Sequence, residues 1–411
     1  MLSNPVYDPF VILTKIYSDG ARVKQAIADT YIEEQNRART VRIVYGVLEN
    51  DGYFDFCIRY YAPKNPKLAV RTILKISLYM LLFMDKKRYM VTDLAVTLCK
   101  KLGKSGVSSF VNAFLRRFDK EAVDKALPTG DEGRAIALSY PLYAYKRLKK
   151  EYGNRAEAIA KAASSGVSVR FERGAEAYLQ KPHIATPFEG NYIFEKFVRD
   201  EGFDEGKYTF QSVGSIAICG VVAPCESLLD ACAAPGGKSV LLSKKCKRVT
   251  SFELHAHRVA LIEQYKERMG AENITALQKD SGVFDEQYAE RFDGVLCDVP
   301  CSGFGTVSEN PDIKLFRKAE DFKGLAAAQT AILDTCSRYV KKGGALYYST
   351  CSLFEEENDR VVDAFLKKHE EFVLEKLESP LVHEKKSFGL QFLPDEAYGA
   401  GFYVSKMTRK V

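Results

Sequence analysis

No stretch of this chain is both long enough and apolar enough to cross a bilayer. The most apolar segment, Leu68 to Met84, has 17 residues with Arg71 and Lys75 inside it, short of the roughly 20 apolar residues that a span requires. Tyr208 to Cys225 lacks charge but carries Gln211, Ser212, Gly214, Ser215 and Pro224. The opening MLSNPVYDPF has no basic region, and the apolar stretch after it is broken by Lys15 and Asp19, so no secretory signal is predicted. The 10 cysteines include no CxxC pair. His255 and His257 straddle a predicted helix start with no second ligand cluster, which reads as a solvated helix cap and predicts no metal. No internal repeat or low-complexity segment occurs. These absences exclude a membrane protein, a disulfide-stapled secreted scaffold and a zinc module. Cys219 and Cys297 sit in apolar runs as buried thiols do, and a reducing cytoplasm fits best.

What is present is an ordinary globular composition, 46% hydrophobic and 28% charged over 411 residues, enough for two or three domains. The net charge of +6 conceals an asymmetry: residues 1–150 carry 26 Lys and Arg against 15 Asp and Glu, or +11, which leaves −5 for the rest. A positive N-terminal part implies a polyanionic partner whose phosphates it contacts. Residues 5 to 127 read as helical, with apolar residues covering most of the circumference in the segment from Leu68 to Leu82. Basic clusters punctuate the region at Lys86, Lys87 and Arg88, at Lys100, Lys101 and Lys104, and at Arg116, Arg117 and Lys120. Leu127 to Asp131 (LPTGD) is a breaker cluster and the expected linker. The segment PLYAYKRLKKEYG at 141–153 then reads as a helix, and VSVRFERG at 167–174 as the first strand of a small α+β module.

The second half alternates strands and helices. Ser227 to Asp230 is a predicted buried strand, followed by the tight turn ACAAPGG and a helix from Lys238. Such a strand, turn and helix start is where a doubly wound sheet binds a nucleotide-like ligand. Glu253 ends the next strand, 23 residues beyond Asp230, near the roughly 20-residue offset at which an acid meets a ribose hydroxyl. Asp280, Asp298 and Cys351 close the following three strands, so four acids and a cysteine gather at carboxyl strand ends. Gly237, Lys238 and Ser239 also fit the end of a phosphate loop. The first glycine of that motif is replaced by Cys232, however, and Pro235 removes an N–H from the cradle.

Taken in order, CAAPGGK at 232–238, DVPCSG at 298–303, NPDIK at 310–314, STCS at 349–352 and EEN at 356–358 resemble the successive motifs of the Sun (RsmB-type) RNA 5-methylcytosine methyltransferases. The likeness spans roughly residues 140–411 and ends in LPDEAYGAGFYVSKM, similar to that family's last hairpin. VSSFVNAFLRRF at 107–118 is similar to the NusB-like helical domain that precedes the catalytic part in one branch. The resemblance implies a multi-domain fold: an all-α NusB-like RNA-binding domain (1–130), a linker and small α+β substrate module (131–207), and an α/β Rossmann-like class I methyltransferase domain (208–411).

It also implies an S-adenosyl-L-methionine-dependent RNA cytosine-C5 methyltransferase acting as a cytoplasmic monomer on 16S ribosomal RNA, at the cytosine usually numbered 967. The donor site would be formed by Cys232, Ala233, Ala234, Pro235, Gly236, Gly237 and Lys238 with Glu253, Asp280 and Asp298. Cytosine is a poor carbon nucleophile, so a thiolate must first add to carbon 6. Spacing does not decide which cysteine attacks. DNA cytosine methyltransferases use the Pro-Cys cysteine, whereas the Sun motifs assign attack to Cys351 and product release to Cys301, with Asp298 at cytosine N3. The same likeness puts the NPDIK loop against the substrate, while Glu355 to Glu357 need no role beyond suiting a helix N-terminus. A tRNA-directed enzyme of the same chemistry, or a non-catalytic RNA-binding assembly factor, would keep much of this pattern. The presence of both cysteines argues against the second.

Overall fold

The computed structural model describes residues 5–411, which form two compact units. One runs through Ala156 and includes Asn310–Arg317; the other comprises Glu157–Glu309 and Lys318–Val411.

The first unit is helical, as its apolar spacing predicts. The helix Leu68–Phe83 is its centre, with Ile73, Leu74, Ile76 and Leu78 almost wholly enclosed by the helices Tyr7–Asp19, Glu34–Glu49, Asp51–Tyr61, Arg88–Lys101 and Ser108–Arg117. The unit continues past the boundary expected at residue 130. LPTGD is a turn inside it, leading into the helices Gly130–Ala137 and Leu142–Tyr152, and the Ser139 hydroxyl accepts the Tyr53 N–H at 2.9 Å. A breaker cluster marks a change of direction as readily as a domain boundary, and here it marks the former. Asn310–Arg317 also packs within this unit: Arg22 contacts Asp312 at 3.4 Å, Lys314 donates to the Glu49 carbonyl at 2.7 Å, and Leu315 and Phe316 join the helical core.

The second unit holds two sheets. The smaller contains β1 (Val167–Phe171), β2 (His183–Ala185), β3 (Asn191–Phe194) and β4 (Tyr208–Phe210) in the antiparallel order β2-β3-β1-β4 around Phe171, Phe194 and Tyr208. This module therefore reaches Phe210, three residues beyond the expected boundary at 207. The larger sheet contains β5 (Cys225–Asp230), β6 (Cys246–Glu253), β7 (Ile274–Gln278), β8 (Phe292–Asp298), β9 (Val340–Thr350), β10 (Phe372–Glu375), β11 (Glu384–Lys385), β12 (Leu390–Phe392) and β13 (Phe402–Arg409). Its order is β11-β12-β13-β9-β8-β5-β6-β7, with β10 on β13. Strands β9, β8, β5, β6 and β7 are parallel, and β13 is antiparallel to β9. Helices cover the parallel strands, so these strands read as continuous apolar runs such as GVLC and ALYY. The chain leaves β5 toward β6 and β7, then returns to the other side as β8 and β9. The switch point therefore lies between the carboxyl ends of β5 and β8, where ligands of open α/β sheets bind.

One polar cluster is enclosed in the helical core. Lys75 lies 2.6 Å from Asp51 and 3.1 Å from Asp55, and the Tyr17 hydroxyl donates to Asp51 at 2.5 Å. Removing one member of such a pair strands the other charge, at a cost of about 3–5 kcal/mol. Lys75→Met should therefore lower the opening free energy of Leu68–Phe83 by that amount, as read by native-state hydrogen exchange of the full chain.

Candidate active site

Two adjacent strands build the reactive centre. Parallel pairing of β8 with β9 sets Asp298 opposite Ser349, and the Val299 N–H continues the ladder to the Ser349 carbonyl at 3.0 Å. Both chains then turn away. The turn after β8 carries Cys301 and the turn after β9 carries Cys351, with the two sulfurs 3.1 Å apart. The Cys351 N–H also donates to the Cys301 sulfur at 3.3 Å, and the Gly305 N–H to the Cys351 carbonyl at 2.9 Å. A Cβ on Gly305 would lie 2.0 Å from the Gly401 carbonyl oxygen, so the Ser-Gly-Phe-Gly turn docks only because that residue has no side chain. The hydrogen bond to Cys351, then burial, then the charges of Cys351 and Glu357 hold the Cys301 thiol well above the ordinary cysteine range.

Asp298 is held at both oxygens. Lys238 donates to Oδ2 at 2.6 Å and Ser349 to Oδ1 at 2.7 Å. Burial works against the Lys238 charge, yet the neighbouring Asp298 carboxylate outweighs it and raises the lysine above its usual range. The phosphate-loop reading does not fit this geometry, because Lys238 is committed to a carboxylate.

Next to this pair is a cavity of ≈ 330 Å³ lined by Gln211, Asp230, Ala233 to Pro235, Gly237, Tyr265 and Phe402, together with Cys232, Lys238 and Asp298. Gly236 makes the turn at φ 105°, a conformation that glycine adopts without strain. The Gln211 amide holds the loop from the module side, donating to the Gly237 carbonyl at 3.2 Å while its own oxygen accepts from Arg170 at 2.8 Å. Asp230 is 1% exposed; Ser239 donates to its Oδ2 at 2.7 Å, whereas Oδ1 has no partner. Burial pushes its carboxyl up to about 6, with the Ser239 hydrogen bond opposing and the Asp298 charge adding.

The structure thus gathers Cys232 to Lys238, Asp298, Cys301 and Cys351 around one sheet edge. Glu253 and Asp280 lie further along that edge, outside the cavity's lining. Glu253 is buried and accepts the His255 N–H at 3.0 Å, with Arg258 at 3.3 Å. Asp280 is exposed and accepts the Gly282 N–H at 2.8 Å. In the NPDIK loop the Asp312 side chain is 3% exposed and sits beside Arg22 in the helical unit. Sequence reasoning set Asp230 among the acids at the strand ends without giving it a role in the donor site, and it missed Gln211 and Ser349. Ser349 was within reach, since it precedes Cys351 by two residues on a strand whose neighbour ends in Asp298. It likewise left Glu357 as one of three acids at a helix start, but Glu357 is fully buried. Among the described residues, no group of three or more His, Cys, Asp and Glu is arranged to hold a metal, and no helix is long and apolar enough to cross a membrane.

A parallel sheet with a small-residue turn, a buried acid and a paired-cysteine edge defines a Rossmann-like methyltransferase. Residues 221–408 match the family described as 16S rRNA methyltransferase RsmB/F, and residues 11–120 match the NusB family. The chain is 31% identical over 431 residues to the probable ribosomal RNA small subunit methyltransferase B of Bacillus subtilis, covering 94% of each. It is 26% identical over 425 residues to ribosomal RNA small subunit methyltransferase B of Xanthomonas campestris, covering 97% of this chain and 95% of that one. The crystal structure of PH0851 shares the fold at a TM-score of 0.83, with 21% identity and 99% of both chains covered. The chain belongs to the RsmB/F family of S-adenosylmethionine-dependent methyltransferases, with a NusB domain at its N-terminal end.

Asp230 gives a direct test of the site's electrostatics. Its folded carboxyl is raised above the unfolded value, so it costs stability increasingly as pH rises from about 4 and in full above about 6. Asp230→Asn should stabilise the ligand-free protein by about 1–2 kcal/mol at pH 8 and leave it unchanged near pH 4, as read from urea unfolding at the two pH values.

Proposed function

We propose that this chain methylates carbon 5 of a cytosine in 16S ribosomal RNA, the nucleotide usually numbered 967, through a covalent adduct of Cys351. The pair of thiols 3.1 Å apart carries the reading, because a single nucleophile that must also be expelled gains from a second, protonated thiol beside it. The names of the relatives support ribosomal RNA of the small subunit as the substrate.

The cavity's chemistry suits S-adenosylmethionine. Asp230 Oδ1, buried without a partner, offers an acceptor to an α-ammonium. The loop 232–238 would lie along the ligand, Glu253 would take the ribose hydroxyls by exchanging its present partners, and Asp280 would face the adenine side. S-adenosylmethionine supplies an electrophilic methyl group.

The remaining chemistry belongs to protein and RNA. The target base must leave its stack, since attack comes from above the ring. The Cys351 sulfur adds to carbon 6, and electron density moves through the ring to N3. Asp298, fixed by Lys238 and Ser349, is placed to hold the proton gained there. Carbon 5 then takes the methyl group, a base removes its proton, and the bond from Cys351 to carbon 6 breaks. Cys301 faces the departing sulfur with its proton in place and assists release. A cytoplasmic setting keeps both thiols reduced, and the basic NusB domain would contact RNA phosphates.

The two cysteines should fail differently. Cys351→Ala should abolish methylation and leave no covalent RNA adduct, whereas Cys301→Ala should stall after one turnover with RNA-linked protein that survives denaturing electrophoresis. Adducts in the first and none in the second would move the nucleophile to Cys301. Bisulfite sequencing of ribosomal and transfer RNA from cells with and without the gene reads the substrate; a mark lost from transfer RNA alone would overturn the ribosomal assignment.

Exposed Lys86, Lys87 and Arg117 lie in the basic clusters of the NusB domain. Replacing all three with alanine should flatten the dependence of log affinity on log salt by about 2–3, given roughly 0.7–0.9 for each phosphate that is no longer neutralised. Filter binding across a salt series measures it, and an unchanged slope would take these residues out of the RNA interface.

A further inference from the structure

We propose that Glu357 is a positioning residue that sets the separation of the two cysteine thiols by binding the residue that follows each of them. The inference deepens the reading of the cysteine pair given above and rests on it for its catalytic meaning.

Glu355 to Glu357 form a single 3-10 turn ahead of the helix Asp359–Lys368, and the three acids do not behave alike. Glu355 is exposed and pairs with Arg360, whereas Glu357 turns inward and is 0% exposed. Its Oε1 accepts the Ser302 N–H at 2.7 Å and the Gln329 amide at 3.0 Å, and its Oε2 accepts the Ser352 hydroxyl at 2.5 Å. Ser302 follows Cys301 and Ser352 follows Cys351, so one carboxylate spans both reactive turns. Its partners are all neutral donors. A buried carboxylate without a cation persists only where donors are aimed at it, and here one comes from each of the two turns and a third from Gln329.

Neighbouring groups extend the bracket to the far side of each cysteine. The Gln329 amide, on the helix Asp321–Ser337, also donates to the Pro300 carbonyl at 3.0 Å, so Pro300 before Cys301 is tied to the side chain that binds Glu357, and Ser302 after it to Glu357 itself. Asn358 accepts from the Thr350 hydroxyl at 2.6 Å and donates to the Ser352 carbonyl at 3.1 Å, which does the same for Cys351. Consecutive residues 357 and 358 therefore hold both turns, and Glu357 bridges them from behind, beside the direct contacts of the Gly305 N–H with the Cys351 carbonyl and of the Ser302 hydroxyl with that of Ser352 at 3.3 Å. The residue must be an acid: a carboxylate only accepts, whereas the amide of glutamine would point its own N–H₂ at one of three donors. The same negative charge also adds to the effects that keep the proton on Cys301.

The test uses the full-length protein, with Glu357→Gln as the isosteric variant and Gln329→Met as a milder one that spares the carboxylate. Methyl transfer needs reacting atoms placed to within about 1 Å, a displacement that costs on the order of a hundredfold. Glu357→Gln should lower kcat by about that factor while the KM for S-adenosylmethionine stays within twofold. Thiol spacing is read separately by diamide, which takes two electrons and two protons from a thiol pair as the disulfide forms. Peptide mass spectrometry should show Cys301–Cys351 cross-linking slowed at least tenfold in Glu357→Gln and at least threefold in Gln329→Met. The Cys225–Cys246 pair, with sulfurs 3.3 Å apart at the amino ends of β5 and β6, is the internal control. Its disulfide occupancy should be the same in all three proteins. Parental cross-linking of Cys301 with Cys351 in the variants overturns the proposal whatever the activity, as does equal slowing at both pairs, which would mean general loosening. If Glu357→Gln does not fold, Gln329→Met decides alone on the same two readouts. Methylation surviving in Cys351→Ala would sink the adduct mechanism without touching the cross-linking result, so the two failures are distinguishable.

Discussion

The parallel pairing of β8 with β9, in the register that sets Asp298 opposite Ser349, is the constraint on which the site depends. Neighbouring strands lie about 4.8 Å apart, so residues that leave the two carboxyl ends in step stay close while their turns run side by side. Cys301 stands three residues beyond Asp298, Cys351 two beyond Ser349, and the pairing brings sulfurs 50 residues apart in sequence to within 3.1 Å of each other. A slip of one residue would rotate every inward side chain of β9 to the other face. The buried tyrosines Tyr347 and Tyr348, packed on opposite faces of the sheet in separate core clusters, make that slip costly. The register that packs the core thus also aligns the two thiols.

Charge in the site is arranged around the same strand ends. Asp298 holds Lys238 across from β5, and Asp230 at the end of β5 feels the Asp298 charge in turn. Two carboxylates so close would repel if both were unpartnered. Lys238 neutralises one, and Ser239 only partly satisfies the other. The ligand-free site therefore keeps a residual preference for a cation at Asp230 and for neutrality at Cys301, and both preferences are set by residues fixed in helices and strands.

Much of this was legible in the sequence because it depends on short-range rules. Apolar spacing marked the buried helix around Leu74, short apolar runs ending in Asp230, Glu253 and Asp298 marked the parallel strands, and glycine with proline marked the turn at 232–238. Residues that act through neighbours distant in sequence were not legible. Nothing local distinguishes Glu357 from Glu355, since which of three consecutive acids faces inward depends on how the 3-10 turn meets the strand before it. Gln211 follows the last strand of the smaller sheet and is significant only because the Gly237 carbonyl accepts a hydrogen bond from its amide. The packing of Asn310–Arg317 was likewise not legible, since Asp312 and Phe316 are held by Arg22 and the helical core some 290 residues away in sequence.

Asp230 and Glu357 show how one chemical group serves two ends according to how completely it is satisfied. Both are carboxylates with almost no solvent exposure, and neither has an ion-pair partner among the described residues. Glu357 accepts three hydrogen bonds, one from each of the turns it joins and one from Gln329, so displacing either turn weakens the satisfaction of a buried carboxylate, and the geometry is held firmly. Asp230 accepts one such bond at Oδ2 and leaves Oδ1 buried without a hydrogen-bond partner beside the cavity it lines, so part of its cost remains for a donor from outside to relieve. Full satisfaction makes an acid a brace, and partial satisfaction makes it a receptor. Under the mechanism proposed above the sheet edge needs both, because a thiol pair that is to attack a base must be held rigidly, while the cavity beside it must gain stability from what it binds.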